Sequence, residues 1–334
     1  KMNIGVYSPN WVGDAVMALK FIGRLRKQYA DDKLIVIARD WVAAIFDNHP
    51  LINKVLPVPT KELAGVFNTI KTGRSFQNLN LDIFFVLPDS FRSAVIAWLS
   101  KSNTRIGFTG QMRGPFLTDQ MDLPKEAIHR SEKYIYLIQN DEHAQDFQHV
   151  GITLREQEIK WANEILQENN VQDPIGLLTG SVAKSRSVPI GKWIEIAKDK
   201  SADDNKFVII GEKRDAGNAQ KIIAQVGEDR VISFCGKHTL RESIALISRC
   251  RAVIAADSGL GHIAADLDIP TISLFGAGDP EKTRPLGDLT QVVTANVHCS
   301  PCGDNICGNT LEPMICLDSI SSTQVWNTYS DLHN

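Results

Sequence analysis

The sequence predicts an α/β protein made of two doubly wound halves, each a parallel sheet covered by helices. Short aliphatic and β-branched runs alternate with segments of helical periodicity, as in repeated strand–helix–strand units. At 334 residues the chain is also longer than one ordinary core requires, so we expect two domains. The rhythm restarts after the polar stretch Asn140–Gly151, which predicts domains at 1–150 and 151–334 and makes the last helix a candidate to pack back on the first domain.

Both halves repeat this pattern. In the first half we expect strands at Ile4–Tyr7, Leu34–Ala38, Ile83–Leu87 and Arg105–Phe108, with helices at Ala15–Gln28 and Phe91–Ser100. A long helix pattern over Leu154–Gln167 leads into the second half, with strands expected at Ile175–Leu178, Phe207–Ile210, Val231–Phe234, Val253–Ala256 and Thr271–Phe275, and helices at Lys192–Ala197, Ala216–Val226 and Leu240–Ser248. Ligands of such sheets bind beyond the carboxyl ends of the strands, so the loops that follow strands are the candidate sites.

Composition limits the class of function. The chain is 43% hydrophobic and 22% charged with a formal net charge of −3, which is typical of a globular protein and argues against a general nucleic-acid binder. Residues 1–150 contain 18 Lys and Arg against 15 Asp and Glu, whereas residues 151–334 contain 18 against 24. The first half is therefore the better host for an anionic partner, although surface variation alone can produce such a difference.

The sequence indicates a protein that does not cross a bilayer. Its most apolar stretch, Ile83–Leu99, is interrupted by Asp89 and Arg92, so no run approaches the roughly 20 apolar residues of a membrane span. The first residues lead directly into a strand pattern without the features of a signal peptide. We therefore expect a cytoplasmic location, with at most a weak electrostatic contact between the first half and a membrane.

A strand–turn–helix segment is the most informative feature of the second half. A buried-strand pattern ends at Asp257, and Ser258 is a candidate N-cap of the following helix. Gly259 and Gly261 allow a tight turn that brings backbone N–H groups to an anion, and His262 adds a donor whose charge changes near neutral pH. The segment is predicted to bind phosphate or ribose.

A second loop with phosphate chemistry follows the first strand of this half. Gly180 and Ser181 offer a backbone and a hydroxyl donor, and Lys184 or Arg186 can neutralise a diphosphate without a metal. Glu212, after the next strand, is either an acceptor for ribose hydroxyls or a solvated residue of a charged run.

A competing interpretation is a nicotinamide enzyme. The stretch Gly259–Ala264 fits G-x-G-x-x-A, and Asp279 follows at about 20 residues, as in dinucleotide-binding folds. This motif, however, comes late in its series of strands, and the preceding pair Asp257-Ser258 does not belong to the fingerprint.

In the first half, the loop Ser8–Asp14 follows the first strand and opens the first helix. Asp14 is a candidate general base for a hydroxyl nucleophile, a role that partial burial or a neighbouring carboxylate would favour. The alternative is that Asp14 only caps the helix and complements its dipole.

Other loops of the first half combine cations with aromatic residues and glycine. Leu87–Arg92 follows a strand pattern and contains Asp89 and Ser90, while Arg105 and Arg113 lie in the next glycine-containing segment. These loops either bind an acidic sugar or phosphate acceptor or are solvated loops at a sheet edge.

Four of the six cysteines cluster as Cys299-x2-Cys302-x4-Cys307-x8-Cys316. In a cytosolic chain this spacing favours free thiols or metal over disulfides. Because it does not match the paired knuckles of common zinc ribbons, the alternatives are a bound Zn²⁺ and a loop packed by its cysteines.

Together, these segments are similar to the bacterial lipopolysaccharide heptosyltransferases, glycosyltransferase family 9. The resemblance spans nearly the whole chain and rests on the order and spacing of Pro9–Asp14, Leu87–Ser93, Arg105–Gly107 with Met112 and Arg113, Asp257–His262 and Cys299–Cys316. It implies a GT-B fold, in which two Rossmann-like domains face each other across a cleft. It also implies inverting, metal-independent transfer of L-glycero-D-manno-heptose from ADP-heptose to heptosyl-Kdo2-lipid A at the inner membrane, with no cofactor. Another family 9 donor or acceptor, and more distantly a nicotinamide-dependent oxidoreductase, remain the alternatives.

The resemblance also implies roles for individual residues, with Asp14 as the catalytic base. The acceptor would be bound by Trp11, Asp89, Ser90, Arg92, Arg105 and Arg113. The donor would be bound by Gly180, Ser181, Lys184, Arg186, Glu212, His238, Asp257, Ser258, Gly259, Leu260, Gly261 and His262, with His238 near the adenine. The family commonly carries a Lys before a Trp-Pro pair, whereas this chain has Arg186 before Val188-Pro189, so Lys184 or Arg186 would contact the diphosphate.

Overall fold

The chain forms two compact units in a computed structural model that describes residues 1–123, 126–138, 149–202 and 204–332. The first unit comprises Lys1–Thr153 and the second Leu154–Asn334. Most of the polar stretch at which the sequence predicts the boundary, namely its residues 140–148, lies outside the described residues.

The first unit is a six-stranded parallel sheet in the order β3-β2-β1-β4-β5-β6. The strands are β1 (Asn3–Tyr7), β2 (Lys33–Arg39), β3 (Lys54–Val58), β4 (Ile83–Val86), β5 (Thr104–Phe108) and β6 (Asp119–Met121). The helices are α1 (Val12–Gln28), α2 (Gly65–Ser75), α3 (Phe91–Leu99) and α4 (Arg130–Ile135). In the register, Ile4 of β1 lies beside Leu34 of β2 and Ile83 of β4. The strand order reverses at β1 and β4, so the loops after these strands border the crevice where such sheets bind ligands.

The second unit repeats this topology in the order β12-β11-β10-β7-β8-β9. Its strands are β7 (Ile175–Leu178), β8 (Phe207–Ile209), β9 (Val231–Ser233), β10 (Ala252–Ala256), β11 (Thr271–Phe275) and β12 (Thr290–Thr294). Its helices are α5 (Glu156–Glu168), α6 (Ile190–Lys198), α7 (Ala216–Val226), α8 (Leu240–Ile247), α9 (Gly259–Asp266), α10 (Pro280–Thr283), α11 (Ile315–Asp318) and α12 (Ser322–Asp331). Here the order reverses at β7 and β10, and the loops after these two strands carry the predicted phosphate chemistry.

The prediction of two doubly wound parallel sheets is confirmed. The central strands are continuous runs of buried apolar residues, as expected for strands covered by helices on both faces. The edge strands β3, β6 and β12 were not predicted, because they are short or half-exposed and therefore lack an uninterrupted apolar run.

The last helix completes the core of its own unit. Helix α12 packs on α6, β11 and β12, where Val325 and Trp326 are buried. The Trp326 indole Nε1 donates a hydrogen bond to the carbonyl of Ile196 at 3.0 Å. The last helix therefore packs within the second unit, and the expectation that it also packs on the first domain stays a prediction. No helix in the described ranges combines the length and apolar character that a bilayer crossing requires.

Candidate active site

Asp14 lies in the first turn of α1, directly beyond the carboxyl end of β1. Its side chain is 12% exposed, so the carboxylate is largely withdrawn from water but still reachable. The position before the helix is occupied by Trp11, whose extended backbone makes no side-chain capping bond and whose indole is exposed. The helix start therefore carries an exposed aromatic ring and, three residues later, a mostly buried carboxylate.

Arg130 is the partner of Asp14. From the start of α4, its Nη1 donates a hydrogen bond to Asp14 Oδ1 at 2.8 Å. Burial lowers the pKa of the Arg130 guanidinium, but the charge and hydrogen bond of Asp14 outweigh burial and hold the pKa above its ordinary value. The guanidinium therefore stays protonated and fixes one carboxylate oxygen.

A second ion pair lies in the loop after β4. Lys133, one turn further along α4, contacts Asp89 Oδ2 at 2.5 Å and also stands 5.0 Å from the centre of the Phe108 ring. Tyr134 is buried beside these groups, and burial together with the charge of Asp14 raises its pKa well above the ordinary value. Helix α4 thus supplies cations to both carboxylates of this unit's crevice.

The predicted acceptor residues divide into exposed and structural groups. Arg113 is fully buried and donates from Nη1 to the carbonyl of Pro88 at 2.6 Å. Arg105 donates to the carbonyls of Phe116 and Ser102 at 2.8 and 2.6 Å. Both guanidiniums therefore hold loop backbone, and the fully buried Arg113 does not belong to a solvated loop, the alternative that the sequence offered.

Ser90 and Arg92 begin helix α3. Ser90 is the N-cap of α3, and its hydroxyl accepts from the Ser93 N–H at 3.2 Å. Arg92 is exposed and donates to the carbonyl of Leu63 at 3.2 Å. Of the predicted acceptor residues, Trp11 and Arg92 remain exposed, and Asp89 is half-buried at the same edge of the sheet.

In the second unit, the loops after β7 and β10 are joined through Asp257. The Asp257 carboxylate is 5% exposed, and its Oδ2 lies 3.3 Å from Arg186 Nε. The hydroxyl of Ser181 donates to the backbone carbonyl of Asp257 at 3.2 Å. Three residues that the sequence assigned to one phosphate site are therefore in one cluster, while Lys184 is exposed at the start of the same short turn.

Helix α9 begins at this cluster. Ser258 occupies the predicted N-cap position, but its side chain makes no capping hydrogen bond, and within the described ranges its buried Oγ has no partner. Gly261 permits close packing of the helix on β10, since a Cβ there would lie 3.1 Å from the Cβ of Ala255. His262 is buried one turn into the helix. The first N–H groups of α9 are thus available for an anion.

Position 180 has to be glycine because the side chain of Asp215, a residue that the sequence did not single out, lies against it. A Cβ at Gly180 would collide with Asp215 Oδ2 and would lie 2.9 Å from Asp215 Cγ. Asp215 in turn accepts the backbone N–H of Glu212 at 2.8 Å. The Glu212 side chain is exposed and pairs with Arg214 at 3.1 Å, so the structure places Glu212 in the charged run that was its alternative interpretation.

His238 is part of an aromatic group at the edge of the second unit. Its ring lies 5.1 Å from that of Trp161 in an edge-on arrangement and 5.6 Å from that of Phe234. Burial is the main cause that lowers the pKa of His238, and the nearby Lys237 acts in the same direction against Glu242. The neutral ring therefore offers an apolar surface at neutral pH.

The glycine motif that suggested a nicotinamide enzyme does not have a dinucleotide context. It follows β10, the fourth strand of its unit, whereas the fingerprint belongs to the first strand–helix turn. Asp279, expected at the ribose in that interpretation, is the N-cap of α10 and accepts from the Glu281 N–H at 3.1 Å.

The cysteine-rich loop supports the phosphate loops. Cys299, Cys302, Cys307 and Cys316 line one cavity of about 410 Å³. Among the described residues, no three Cys, His, Asp or Glu side chains are grouped as a metal site requires, so the zinc alternative gains no support. The loop instead bonds to its neighbours: Ser185 N–H donates to the carbonyl of Asn305 at 3.2 Å, and Gly303 N–H to that of Ala277 at 2.7 Å.

Comparison with known proteins identifies the family. The model of glycosyltransferase family 9 (heptosyltransferase) matches residues 69–311, which is more than half of the chain. The chain belongs to glycosyltransferase family 9. It is therefore an enzyme that transfers a glycosyl group, as the sequence predicts.

Family 9 relatives cover almost the whole chain. Lipopolysaccharide heptosyltransferase 2 of Escherichia coli (strain K12) is 28% identical over 305 residues, covering 87% of this chain and 88% of the relative. Lipooligosaccharide heptosyltransferase 2 of Haemophilus ducreyi is 26% identical over 311 residues, with the same coverage. The solved structure of E. coli ADP-heptose lps heptosyltransferase II superposes with a TM-score of 0.83 at 25% identity, covering 99% of this chain and 98% of that one. The predicted GT-B fold is thereby confirmed.

Arg130, Lys133 and Asp215 are the site residues that sequence reasoning missed. Arg130 and Lys133 lie in α4, a helix of six residues with no preceding strand pattern of its own. Asp215 belongs to a run of charged residues, in which the sequence does not show which carboxylate has a structural role. The available signal was the pair Arg130 and Lys133, which are three residues apart and therefore share a helix face.

Proposed function

We propose that this enzyme transfers heptose from ADP-heptose to the heptosyl-Kdo2-lipid A core, with inversion at the anomeric carbon and without a metal. The observation that carries the proposal is Asp14, a carboxylate at the carboxyl end of β1 held through one oxygen by Arg130. An inverting transfer needs one base beside the acceptor hydroxyl, and the second oxygen of Asp14 meets that need. The names of the heptosyltransferase 2 relatives support the choice of sugar and acceptor.

The proposed reaction is a single displacement. The acceptor hydroxyl oxygen bonds to the anomeric carbon of the donor while its proton passes to the Asp14 carboxylate. The bond between the anomeric carbon and the β-phosphate oxygen breaks at the same time, and ADP leaves with that electron pair. The product keeps the transferred heptose with inverted configuration, and Asp14 later returns its proton to water.

Charge on the departing ADP is proposed to be met in the second unit. The first N–H groups of α9 carry the positive end of the helix dipole, equivalent to roughly half a charge. Arg186 adds a guanidinium that its contact with Asp257 directs to this point. The guanidinium of Arg186 can therefore stabilise the negative charge of the leaving diphosphate, a task that a metal ion performs in many transferases. This supports a reaction without a metal.

Adenine is proposed to bind near His238. The His238 and Trp161 rings provide an apolar surface, and Trp161 also lines a cavity of about 190 Å³ between α5 and α8. Flat heterocycles bind favourably against such aromatic groups. This arrangement supports a purine nucleotide as the donor's leaving group.

The acceptor is proposed to bind the exposed residues of the first unit. The Trp11 ring is placed to cover a sugar face, and Arg92 with the cations of α4 suits acidic groups of the lipid-linked core. Because that acceptor is anchored in a bilayer, we infer that the enzyme works in the cytoplasm at the inner face of the inner membrane.

A ligand panel followed by a transfer assay tests the proposal. A ligand that binds only the folded protein raises its melting temperature, so ADP should raise it more than UDP, GDP or NAD. Incubation with ADP-heptose and the heptosyl acceptor should then add one heptose to the acceptor, as seen by mass spectrometry. Stabilisation by NAD without competition from ADP, or transfer from another nucleotide sugar only, would contradict the proposal.

A further inference from the structure

One face of the first unit combines exposed apolar side chains with an excess of cations. Within residues 63–118, five large apolar side chains are exposed: Val66, Phe67, Phe91, Trp98 and Met112. Phe67 and Met112 are 89% and 87% exposed. Single exposed apolar residues are ordinary, whereas several in one region indicate a surface with a partner. We call this region the α2–α3 face.

The members of the α2–α3 face lie on one side of the sheet. The crossovers β3–α2–β4 and β4–α3–β5 run in the same direction along the strand order, so right-handed connections place both helices on the same side. The helices also pack together, since a Cβ at Gly73 would lie 2.8 Å from the Cβ of Leu99. The Phe116 ring contacts both Phe91 and Trp98, at 5.3 and 5.8 Å, and so joins the following loop to α3.

The exposed apolar residues of α2 do not serve the core. The buried side of α2 is formed by Thr69, Thr72 and Gly73. Phe67 points away from that side in the first turn, and Val66 beside it is 71% exposed, although a buried Phe would stabilise the fold by roughly 1.5–3 kcal/mol. Because the fold gains nothing from them there, they are available to an external partner.

The charge of the face selects that partner. The exposed ionisable side chains of residues 61–119 are five cations and two acids: Lys61, Lys71, Arg74, Arg92 and Lys101 against Glu62 and Asp119. The other two acids of this range are engaged elsewhere, Asp82 with the N–H of Asn3 at 2.8 Å and Asp89 with Lys133. A surface of aromatic residues on which exposed cations outnumber exposed acids complements a bilayer that carries acidic lipids.

We propose that the α2–α3 face docks on the surface of an anionic bilayer. Phe67 and Val66 enter the interfacial region, and Lys71 and Arg74, one and two turns along α2, lie against the headgroups. The first turns of α2 and α3 are at the carboxyl end of the sheet, where Asp14 and Asp89 also lie. Docking therefore brings the crevice of the first unit near the lipid surface. The biological purpose of the contact rests on the proposed function, but the contact itself does not.

Vesicle sedimentation with the full chain tests the contact without donor or acceptor. The protein should sediment with vesicles of phosphatidylcholine and phosphatidylglycerol, less with phosphatidylcholine alone, and less at high salt. The double change Val66→Ser and Phe67→Ser should weaken binding by roughly tenfold or more. The double change Lys71→Glu and Arg74→Glu should weaken it by a similar factor, and only on the anionic vesicles.

Leu311→Ser is the matched control. Leu311 is 93% exposed but lies in the second unit, so its removal tests whether any exposed apolar residue promotes sedimentation. Binding of the wild type to neither vesicle, or equal binding of Leu311→Ser and the Val66/Phe67 variant, would overturn the proposal. Equal sedimentation with anionic and neutral vesicles would also overturn the proposal, because the cations would then not contribute to binding.

An activity assay separates this proposal from the assignment of the reaction. With an acceptor stripped of its acyl chains, the Val66→Ser and Phe67→Ser variant should keep the wild-type kcat/KM. With acceptor embedded in anionic vesicles, its rate should fall by roughly tenfold or more, following the loss of binding. If ADP-heptose proves not to be the donor, the sedimentation results still decide the membrane contact. Equal losses on both acceptors would refute a docking role.

Discussion

Arg130 and Asp14 are 116 residues apart in the sequence and form a hydrogen-bonded ion pair of 2.8 Å. The pair exists because α1 and α4 pack against each other on one side of the first sheet. Only one carboxylate oxygen of Asp14 is engaged by this contact. Arg130 therefore orients the Asp14 carboxylate through one oxygen, and this contact leaves the other oxygen to accept a proton. Substitutions of Asp14 and of Arg130 are therefore expected to change the kinetics in different ways.

Asp14→Asn should lower kcat by about 10² or more, because the amide keeps the size of the side chain but cannot take the acceptor proton. The affinity for ADP, which is assigned to the second unit, should remain within about twofold of the wild type. Steady-state transfer kinetics and calorimetric titration with ADP measure the two quantities. Asp31→Asn, an exposed aspartate beyond α1, is the control and should leave both unchanged. Undiminished turnover in Asp14→Asn would remove the general-base role.

Arg130→Ala should lower kcat by roughly tenfold with a smaller effect on the KM for donor, because the carboxylate loses its orientation but not its chemistry. Arg130→Lys keeps the charge and should recover part of the loss, although it lacks the planar fork of the guanidinium. The melting temperature of both variants separates positioning from folding. A kcat that follows the melting temperature across the two variants would show that Arg130 acts only on stability.

The sequence predicted the central strands because each central strand is a continuous apolar run. The resemblance to family 9 implied that Ser181, Arg186 and Asp257 all bind the donor, and the structure places the three residues in one cluster. The sequence did not predict Arg130, because the contact with Asp14 joins two distant helices and leaves no local pattern. Nor could it distinguish Arg113 as a loop support, since burial of a guanidinium depends on packing that no spacing encodes.

Arg186→Ala should weaken ADP binding by about 10- to 100-fold, the effect of losing one charge-assisted hydrogen bond to phosphate. Lys184→Ala should weaken it by less than about threefold, because the exposed ammonium is screened by water. Arg186→Ala also leaves the buried Asp257 carboxylate without this cation, so Arg186→Lys is included to retain the charge. Calorimetric titration with ADP ranks the three variants. A larger loss in Lys184→Ala than in Arg186→Ala would transfer the diphosphate contact to Lys184.

Gly180→Ala should destabilise the second unit by about 1–3 kcal/mol and weaken ADP binding, because the added methyl collides with the Asp215 carboxylate. Gly217→Ala is the matched control, since a Cβ at this α7 position meets nothing within 4 Å. It should be neutral or stabilising by up to about 1 kcal/mol through helix propensity. Thermal unfolding with and without ADP measures both effects. Equal melting temperatures and equal ADP stabilisation of the two variants would show that the Asp215 side chain moves aside for the added methyl group at no cost.

Glu158 should make the stability of the second unit depend on pH. Arg241 donates to its two carboxylate oxygens at 2.6 and 2.8 Å, and the Arg155 N–H donates at 2.6 Å. Burial raises the pKa of Glu158, but the hydrogen bonds from Arg241 and Arg155 outweigh burial and lower the pKa below its ordinary value. The folded state therefore binds this proton less tightly than the unfolded state does. The stabilisation that the Glu158 carboxylate provides is complete above the unfolded pKa of about 4.3 and is lost as the pH falls through the lower folded value.

Glu158→Gln should accordingly destabilise the protein at neutral pH by about 1.5–3 kcal/mol, the range for hydrogen bonds to a charged group. The difference from the wild type should shrink as the pH falls below about 4, because protonation then removes the same charge from the wild type. Glu164→Gln is the control on the same helix, since its contact with Lys160 at 3.8 Å is largely exposed and should contribute less than about 0.5 kcal/mol. Urea unfolding of the three proteins across this pH range measures the effect. A Glu158→Gln deficit that stays constant down to acid pH would mean that lost packing, and not the ion pair, is its cause.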